Sequence, residues 1–255
     1  MISILILLVI GIAVGALTGM TGSSGVLVVV PALGLLGVSF QVSVGTSLLV
    51  DVITTSVVAY VYLSKKSLDL KAAMLMGLGA VIGAQIGTRF AISISQVPLE
   101  VAFVILTGIL AFLMFRRATG HSFGQKTRQM NGITKRTLAF AFAMSLPVGF
   151  MTGTLGTSGG VMFMGIILLL FTMSAQKMVG TATMAMFLSA ASGASGYISV
   201  GRISLVAALV IGTTSLASGI IFSYAAHRVA ERIIYLSIGS VFVAVIILET
   251  FKIIL

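Results

Sequence analysis

This chain has very little with which to face water. Charged residues make up 8% of its 255 residues, hydrophobic residues make up 58%, and the mean hydropathy is +1.22. A soluble protein of this length needs roughly three times as many charges to clothe its surface. The composition excludes a soluble domain and defines an all-α polytopic membrane protein. The apolar runs are long and continuous instead of alternating, which argues against a transmembrane barrel. Cysteine is absent, so disulfides, thiolate metal sites and cysteine nucleophiles are excluded. Of the two histidines, His121 lies in a polar stretch and His227 beside Arg228, without metal-ligand neighbours at useful spacing. Nothing resembles a phosphate-binding loop, a nucleophile with its base, or a carboxylate pair. The expectation is a protein that is not an enzyme and carries no catalytic residue, metal or cofactor.

The net charge of +10 could suggest nucleic acid, but the basic residues stand at the ends of apolar runs. There they set topology and meet lipid headgroups, so the expected partners are a lipid bilayer and no nucleic acid. The first twenty residues lack a basic leader and a small-x-small cleavage site, and they read as a membrane helix instead of a signal peptide.

One motif occurs twice. Gly15 to Gly25 reads G-A-L-T-G-M-T-G-S-S-G, and Gly149 to Gly159 reads G-F-M-T-G-T-L-G-T-S-G. Six of the eleven positions are identical at an offset of 134: Gly15/Gly149, Thr18/Thr152, Gly19/Gly153, Gly22/Gly156, Ser24/Ser158 and Gly25/Gly159. After one inserted glycine, Gly160, the offset becomes 135, and Gln41, Val44, Gly45, Thr46 and Tyr62 match Gln176, Val179, Gly180, Thr181 and Tyr197. Glycine and hydroxyl residues at this density disfavour a continuous helix. Each copy is expected to unwind the backbone at membrane depth.

Hydropathy divides the halves into five apolar segments each, near 2–20, 24–39, 42–63, 71–92 and 98–115, then 138–155, 159–173, 177–198, 203–226 and 231–251. The expected organisation is a first membrane repeat over 1–115, a basic cytoplasmic loop over 116–137 and a second repeat over 138–255, with 8–10 membrane segments. If the first two segments of each half form a hairpin, each half crosses an odd number of times and the halves are inverted. If they form one broken span, the halves are parallel. Inversion puts twelve of the fifteen basic residues inside and the parallel arrangement eleven, which favours inversion narrowly.

In hydrocarbon, irregular backbone survives only where it is buried in protein or lines a cavity. A new helix is expected after each break, capped by Ser23, Ser24, Thr157 or Ser158. Its N-terminus offers unpaired N–H groups and the positive end of a dipole. Two such termini brought together make a seat for an anion without a fixed cation. The same small residues also permit close helix packing, as in Gly15-x-x-x-Gly19 and the ridge Gly77, Gly79, Gly83 and Gly87.

Leu17-Thr18-Gly19-Met20-Thr21-Gly22-Ser23-Ser24-Gly25, with Val30-Pro31-Ala32-Leu33 and Val44-Gly45-Thr46-Ser47, resembles the sulfite exporter TauE/SafE family, also called the toluene sulfonate uptake permeases. Lys65-Lys66-Ser67-Leu68-Asp69 and Gly83-Ala84-Gln85-Ile86-Gly87-Thr88-Arg89 extend the resemblance. It departs at Ser24, where the family more often has glycine, and at Asp51, which is usually apolar there. The resemblance implies a multi-pass permease of the prokaryotic cell membrane that moves sulfite, thiosulfate, sulfoacetate or a related organosulfonate.

The expected anion-binding residues are Thr18, Gly19, Thr21, Gly22, Ser23, Ser24, Gly25, Gly45, Thr46 and Ser47, with Thr152, Gly153, Gly156, Thr157, Ser158, Gly159, Gly160, Gly180 and Thr181. Asp51 is the one acid well inside an apolar segment and a candidate for proton coupling, although it could instead bond Thr54 or Thr55. Arg89 could draw an anion, pair with Asp51 or snorkel to the interface. Gln41 and Gln176 could donate amides to the site or cap helices. The alternatives are a proton- or cation-coupled permease with Asp51 as the ion site, and a membrane scaffold that moves nothing. A homo-oligomer is left open.

Overall fold

The computed structural model describes residues 4–21, 24–118, 135–157, 159–171 and 173–225, with 240, 243, 246 and 247. Among the described residues there is no strand, and nine helices account for the architecture. They are α1 (Ile4–Thr21), α2 (Val26–Leu35), α3 (Phe40–Ser64), α4 (Leu70–Ser93), α5 (Gln96–Ala118), α6 (Lys135–Leu155), α7 (Gly160–Leu170), α8 (Ala175–Ser199) and α9 (Leu205–Ala225). They coincide with nine of the ten apolar segments; the tenth, 231–251, lies almost wholly outside the described residues. By length and composition α3, α4, α6 and α9 can each cross a membrane, while α2 and α7, of 10 and 11 residues, cannot.

Both short helices fold back on the helix before them. Gly25 lies against Val14, eleven residues earlier, and Gly159 lies against Val148, also eleven residues earlier. A continuing helix would hold such residues about 16 Å apart. Val29 and Leu33 of α2 accordingly share a buried cluster with Leu7, Ile10 and Val14 of α1. The interruptions are therefore reversals, and α2 and α7 begin in the buried interior.

Glycine decides which long helices touch. Gly79, Gly83 and Gly87 of α4 lie against the main chain of Phe142, Leu146 and Phe150 in α6, and Gly149 and Gly153 answer against Ala80 and Ala84. Gly11, Gly15 and Gly19 of α1 meet α9 at Ile211, Ser215 and Gly219 in the same way. Residue numbers rise together along both contacts, so each pair is parallel, and backbones approach closely because no Cβ intervenes. Gly77 of the expected ridge instead faces Leu188 of α8.

At the centre, α3 and α8 run antiparallel. The Asp69 N–H, just beyond α3, donates to Thr181 Oγ1 near the start of α8 at 2.9 Å. The Ser204 N–H, just beyond α8, donates to Thr46 Oγ1 near the start of α3 at 2.9 Å. Both connectors turn through a left-handed residue, Lys66 (φ 54°) and Gly201 (φ 67°), which are 135 positions apart. Two groups of helices result: α1, α2, α3 and α9, and α4, α6, α7 and α8, joined mainly along α3 and α8. Each sequence half thus lends its fourth helix to the other half. The outer surface is apolar, with Ile82, Ile86 and Phe90 of α4 and Leu205, Val206 and Leu209 of α9 all exposed, as a lipid-facing surface requires.

Candidate functional site

The start of α2 is held by a carboxylate. Asp51 stands near the middle of α3 and is fully buried. Its Oδ1 accepts the Gly25 N–H at 2.9 Å, and its Oδ2 accepts the Ser24 hydroxyl at 2.6 Å. Ser24 Oγ in turn accepts the Val26 N–H at 3.2 Å. A negative group on the first-turn donors of a helix satisfies them and complements the dipole. Thr55, one of the alternative partners, donates to the Asp51 main-chain carbonyl at 2.6 Å, and Thr54 bonds Val50 O and Ser215 Oγ.

The start of α7 is arranged differently. Gly156 and Gly159 take φ values of +74° and +78°, a left-handed backbone that side chains disfavour, and Gly159 is the N-cap. Thr152 Oγ1 lies 3.0 Å from Val148 O and 2.9 Å from Thr157 O, fixing the turn. Thr157 itself is 4% exposed, and its hydroxyl has no hydrogen-bond partner among the described residues.

The two breaks meet. Gly156 touches Val26, the first residue of α2, and Val44 of α3. Between them lies a cavity of about 20 Å³ lined by Ser24, Val26 and Leu27 on one side and Thr157, Gly159, Gly160, Val161 and Met162 on the other. That is room for one water-sized group.

The remaining expected site residues are dispersed. Gly22, Ser23 and Ser158 lie outside the described residues, and so does the side chain of Thr21. Gly19 and Gly153 are helix-packing positions against α9 and α4, and Gly153 O accepts the Tyr197 hydroxyl at 2.9 Å. Thr18 and Ser47 are buried hydroxyls without partners among the described residues. Gly45 and Gly180 lie under the main chain of Arg202 and Ser67, and Thr46 and Thr181 bond the connectors described above. These four residues clamp loops and do not line the cavity. Gln41 caps α4, with Nε2 donating to Ala91 O (2.8 Å) and Ile94 O (3.1 Å) while its Oε1 accepts from Arg202 (2.7 Å). Gln176 is exposed. Arg89 is exposed on α4, and no ion pair joins it to Asp51. The sequence reading missed the apolar lining residues Val26, Leu27, Val161 and Met162, which carry no chemical signal, and the bond between Ser24 and Asp51.

An apolar outer surface, helices long enough to span a bilayer, and polar groups gathered where two buried half-length helices begin together define a multi-pass membrane protein of the transporter class. The chain belongs to the Sulfite exporter TauE/SafE family, which matches residues 7–248. Among curated proteins of Bacillus subtilis (strain 168) it is similar to the probable membrane transporter protein YunE, with 26% identity over 82% of this chain and 83% of that protein. The probable membrane transporter protein YdhB matches at 23% identity over 84% and 85%, and YjnA, named likewise, at 22% over 69% and 71%. No solved structure matches. The chain is a membrane transporter and not an enzyme.

Proposed function

We propose that the chain is a permease for a small sulfur-containing oxyanion or organosulfonate, of the sulfite, thiosulfate or sulfoacetate class. In this reading the solute is held between the starts of α2 and α7 by helix N-termini and hydroxyls, and it crosses by alternating access. The observation that carries the reading is the cavity itself: both repeats contribute to it, and Thr157 brings to it a buried hydroxyl with no partner among the described residues. Buried polar groups normally find partners, and one left open beside a helix N-terminus suits a ligand rich in acceptor oxygens. The antiparallel course of α3 and α8 and the hairpin form of both breaks support two inverted repeats, over 1–115 and 138–255. Of the basic loop expected over 116–137, residues 116–118 and 135–137 belong to the ends of α5 and α6, and residues 119–134 lie outside the described residues. A sulfur oxyanion is larger than one water-sized group, so its entry requires the two helix groups to part along α3 and α8.

A cation site at Asp51 is less well supported, because both of its carboxylate oxygens already accept from protein donors. Flux of isotope-labelled sulfite, sulfate, thiosulfate and a sulfonate into proteoliposomes, with and without a pH gradient, tests the reading. Uptake of at least one sulfur oxyanion above protein-free vesicles is expected. No flux of any of the four would overturn it.

A further inference from the structure

The two breaks match in sequence and in fold but not in charge. At the first, two donors, the Gly25 amide and the Ser24 hydroxyl, converge on two carboxylate oxygens of one side chain, Asp51. That is the arrangement a free oxyanion adopts at a helix N-terminus. At the second break the position 135 residues after Asp51 is Met186, buried and without charge. The N-cap is a glycine, so it offers no side chain to the first-turn amides of Gly160, Val161 and Met162. Thr157, 96% buried by its 4% exposure, lines the cavity at that terminus with its hydroxyl unpaired among the described residues.

We infer that Asp51 is a resident anion that fills the oxyanion seat of the first repeat, so that a mobile anion takes only the second seat, formed by the start of α7 and the Thr157 hydroxyl. The inference rests on the cavity being the solute site, and it adds which half binds and how many anions bind. Two consequences follow from charge and occupancy. The resident carboxylate neutralises the α2 terminus and occupies both of its donors, the Gly25 amide and the Ser24 hydroxyl, so one chain carries one anion at a time. The pseudo-symmetric pair of seats works as one fixed charge facing one exchangeable charge. A carboxylate introduced at position 186, in the register that Asp51 occupies in its own half, would fill the second seat in the same way.

Formate, the smallest free carboxylate, tests this on the full-length purified protein. Asp51→Gly should empty the first seat and melt below wild type, and millimolar formate should restore at least half of the lost melting temperature where equal chloride does not. If the variant aggregates on extraction, extraction in formate should yield monodisperse protein. Asp51→Asn, whose amide keeps the first seat filled, should show no larger a formate shift than wild type, in which only the second seat is open. Met186→Asp should lose any sulfite-induced thermal shift seen in wild type. The inference is overturned if formate rescues neither melting nor extraction of Asp51→Gly, if Asp51→Asn or wild type responds to formate equally, or if Met186→Asp keeps the sulfite shift. Formate rescue needs no transported solute, so its failure is distinguishable from a failure of sulfur-oxyanion flux.

Discussion

Replacing Thr157 by valine should make the empty transporter more stable and the transporter worse. Valine has nearly the shape of threonine, so packing around the cavity is kept and only the hydroxyl goes. That hydroxyl is buried at 4% exposure without a partner among the described residues, and an unpaired buried hydroxyl costs about 1–3 kcal/mol of desolvation. Its removal should therefore raise stability by about 1 kcal/mol, or roughly 2–4 °C in melting temperature for a chain of this size. If the hydroxyl donates to a bound anion, the same change removes a hydrogen bond to a charged group. Such a bond is worth about 1.5–3 kcal/mol, a loss in affinity of about ten- to a hundredfold. Thr152→Val is the paired control. It removes a hydroxyl that bonds Val148 O and Thr157 O, orphans a carbonyl inside the break, and should lower stability by about 1–2 kcal/mol. Thermal melts of detergent-purified protein followed by far-UV circular dichroism, with and without sulfite, read both quantities. If Thr157→Val melts as far below wild type as Thr152→Val, the hydroxyl has a structural partner and the reasoning fails. If it melts higher and keeps its full sulfite shift, Thr157 is not a solute ligand.

The same melts test three further expectations. A methyl group at Gly149 would lie 2.6 Å from Ala80 Cα, so Gly149→Ala should force α4 and α6 apart and cost about 1–3 kcal/mol, whereas Gly165→Ala, with open space around the new methyl, should gain about 0.5–1 kcal/mol from helix propensity. Thr46→Val and Thr181→Val each leave a connector N–H, of Ser204 or Asp69, without its acceptor, and each should lose about 1–3 kcal/mol while solute affinity in the surviving folded protein is unchanged. The Lys177–Asp69 ion pair, 3.5 Å long with Lys177 at 41% exposure, should be worth no more than about 1 kcal/mol and weaken with salt, so Lys177→Met should be mild. Asp69→Ala should cost about 1 kcal/mol more, because Asp69 also caps α4 through the Ala72 N–H.

Hydropathy and the duplicated motif made much of this molecule legible before any coordinates. Long apolar runs can only be spanning or buried helices, and glycine with hydroxyl residues at matched positions marked both breaks. Pairing across the halves was not legible. The clamp role of Thr46 depends on a main-chain N–H 158 residues away, and that of Thr181 on one 112 residues away. Local periodicity carries no trace of partners at that distance, so the Gly-Thr pairs read as well for a solute site as for a loop anchor. Asp51 stood out as a buried acid, but its partner did not. Ser24 and Asp51 are the two positions where the chain departs from the resemblance noted in its sequence, and they bond each other at 2.6 Å. The ridge on α4 was readable as packing, yet its partner α6 belongs to the other half.

If transport is by alternating access, that exchange of fourth helices sets which parts move together. The contacts of α4 with α6 and of α1 with α9 bring backbone against backbone, with no layer of side chains to shear, so each pair should travel as one body. In the alternating-access reading proposed above, the opening motion is expected along the α3–α8 seam, which joins the two helix groups and separates the two sides of the cavity, and not at the boundary between sequence halves. Engineered disulfides can separate the two locations, and the natural absence of cysteine leaves the background clean. Within one helix group, a Cβ at Gly77 would lie 3.1 Å from Leu188 Cβ, close enough for a bridge after slight adjustment. Across the seam, a Cβ at Gly193 would lie 3.9 Å from Leu48 Cγ. Oxidised Gly77→Cys/Leu188→Cys should keep most of its flux in proteoliposomes. Oxidised Leu48→Cys/Gly193→Cys should lose nearly all of its flux and recover it on reduction. Equal flux through both cross-linked proteins would place the moving seam elsewhere and remove the mechanical argument for alternating access along α3 and α8.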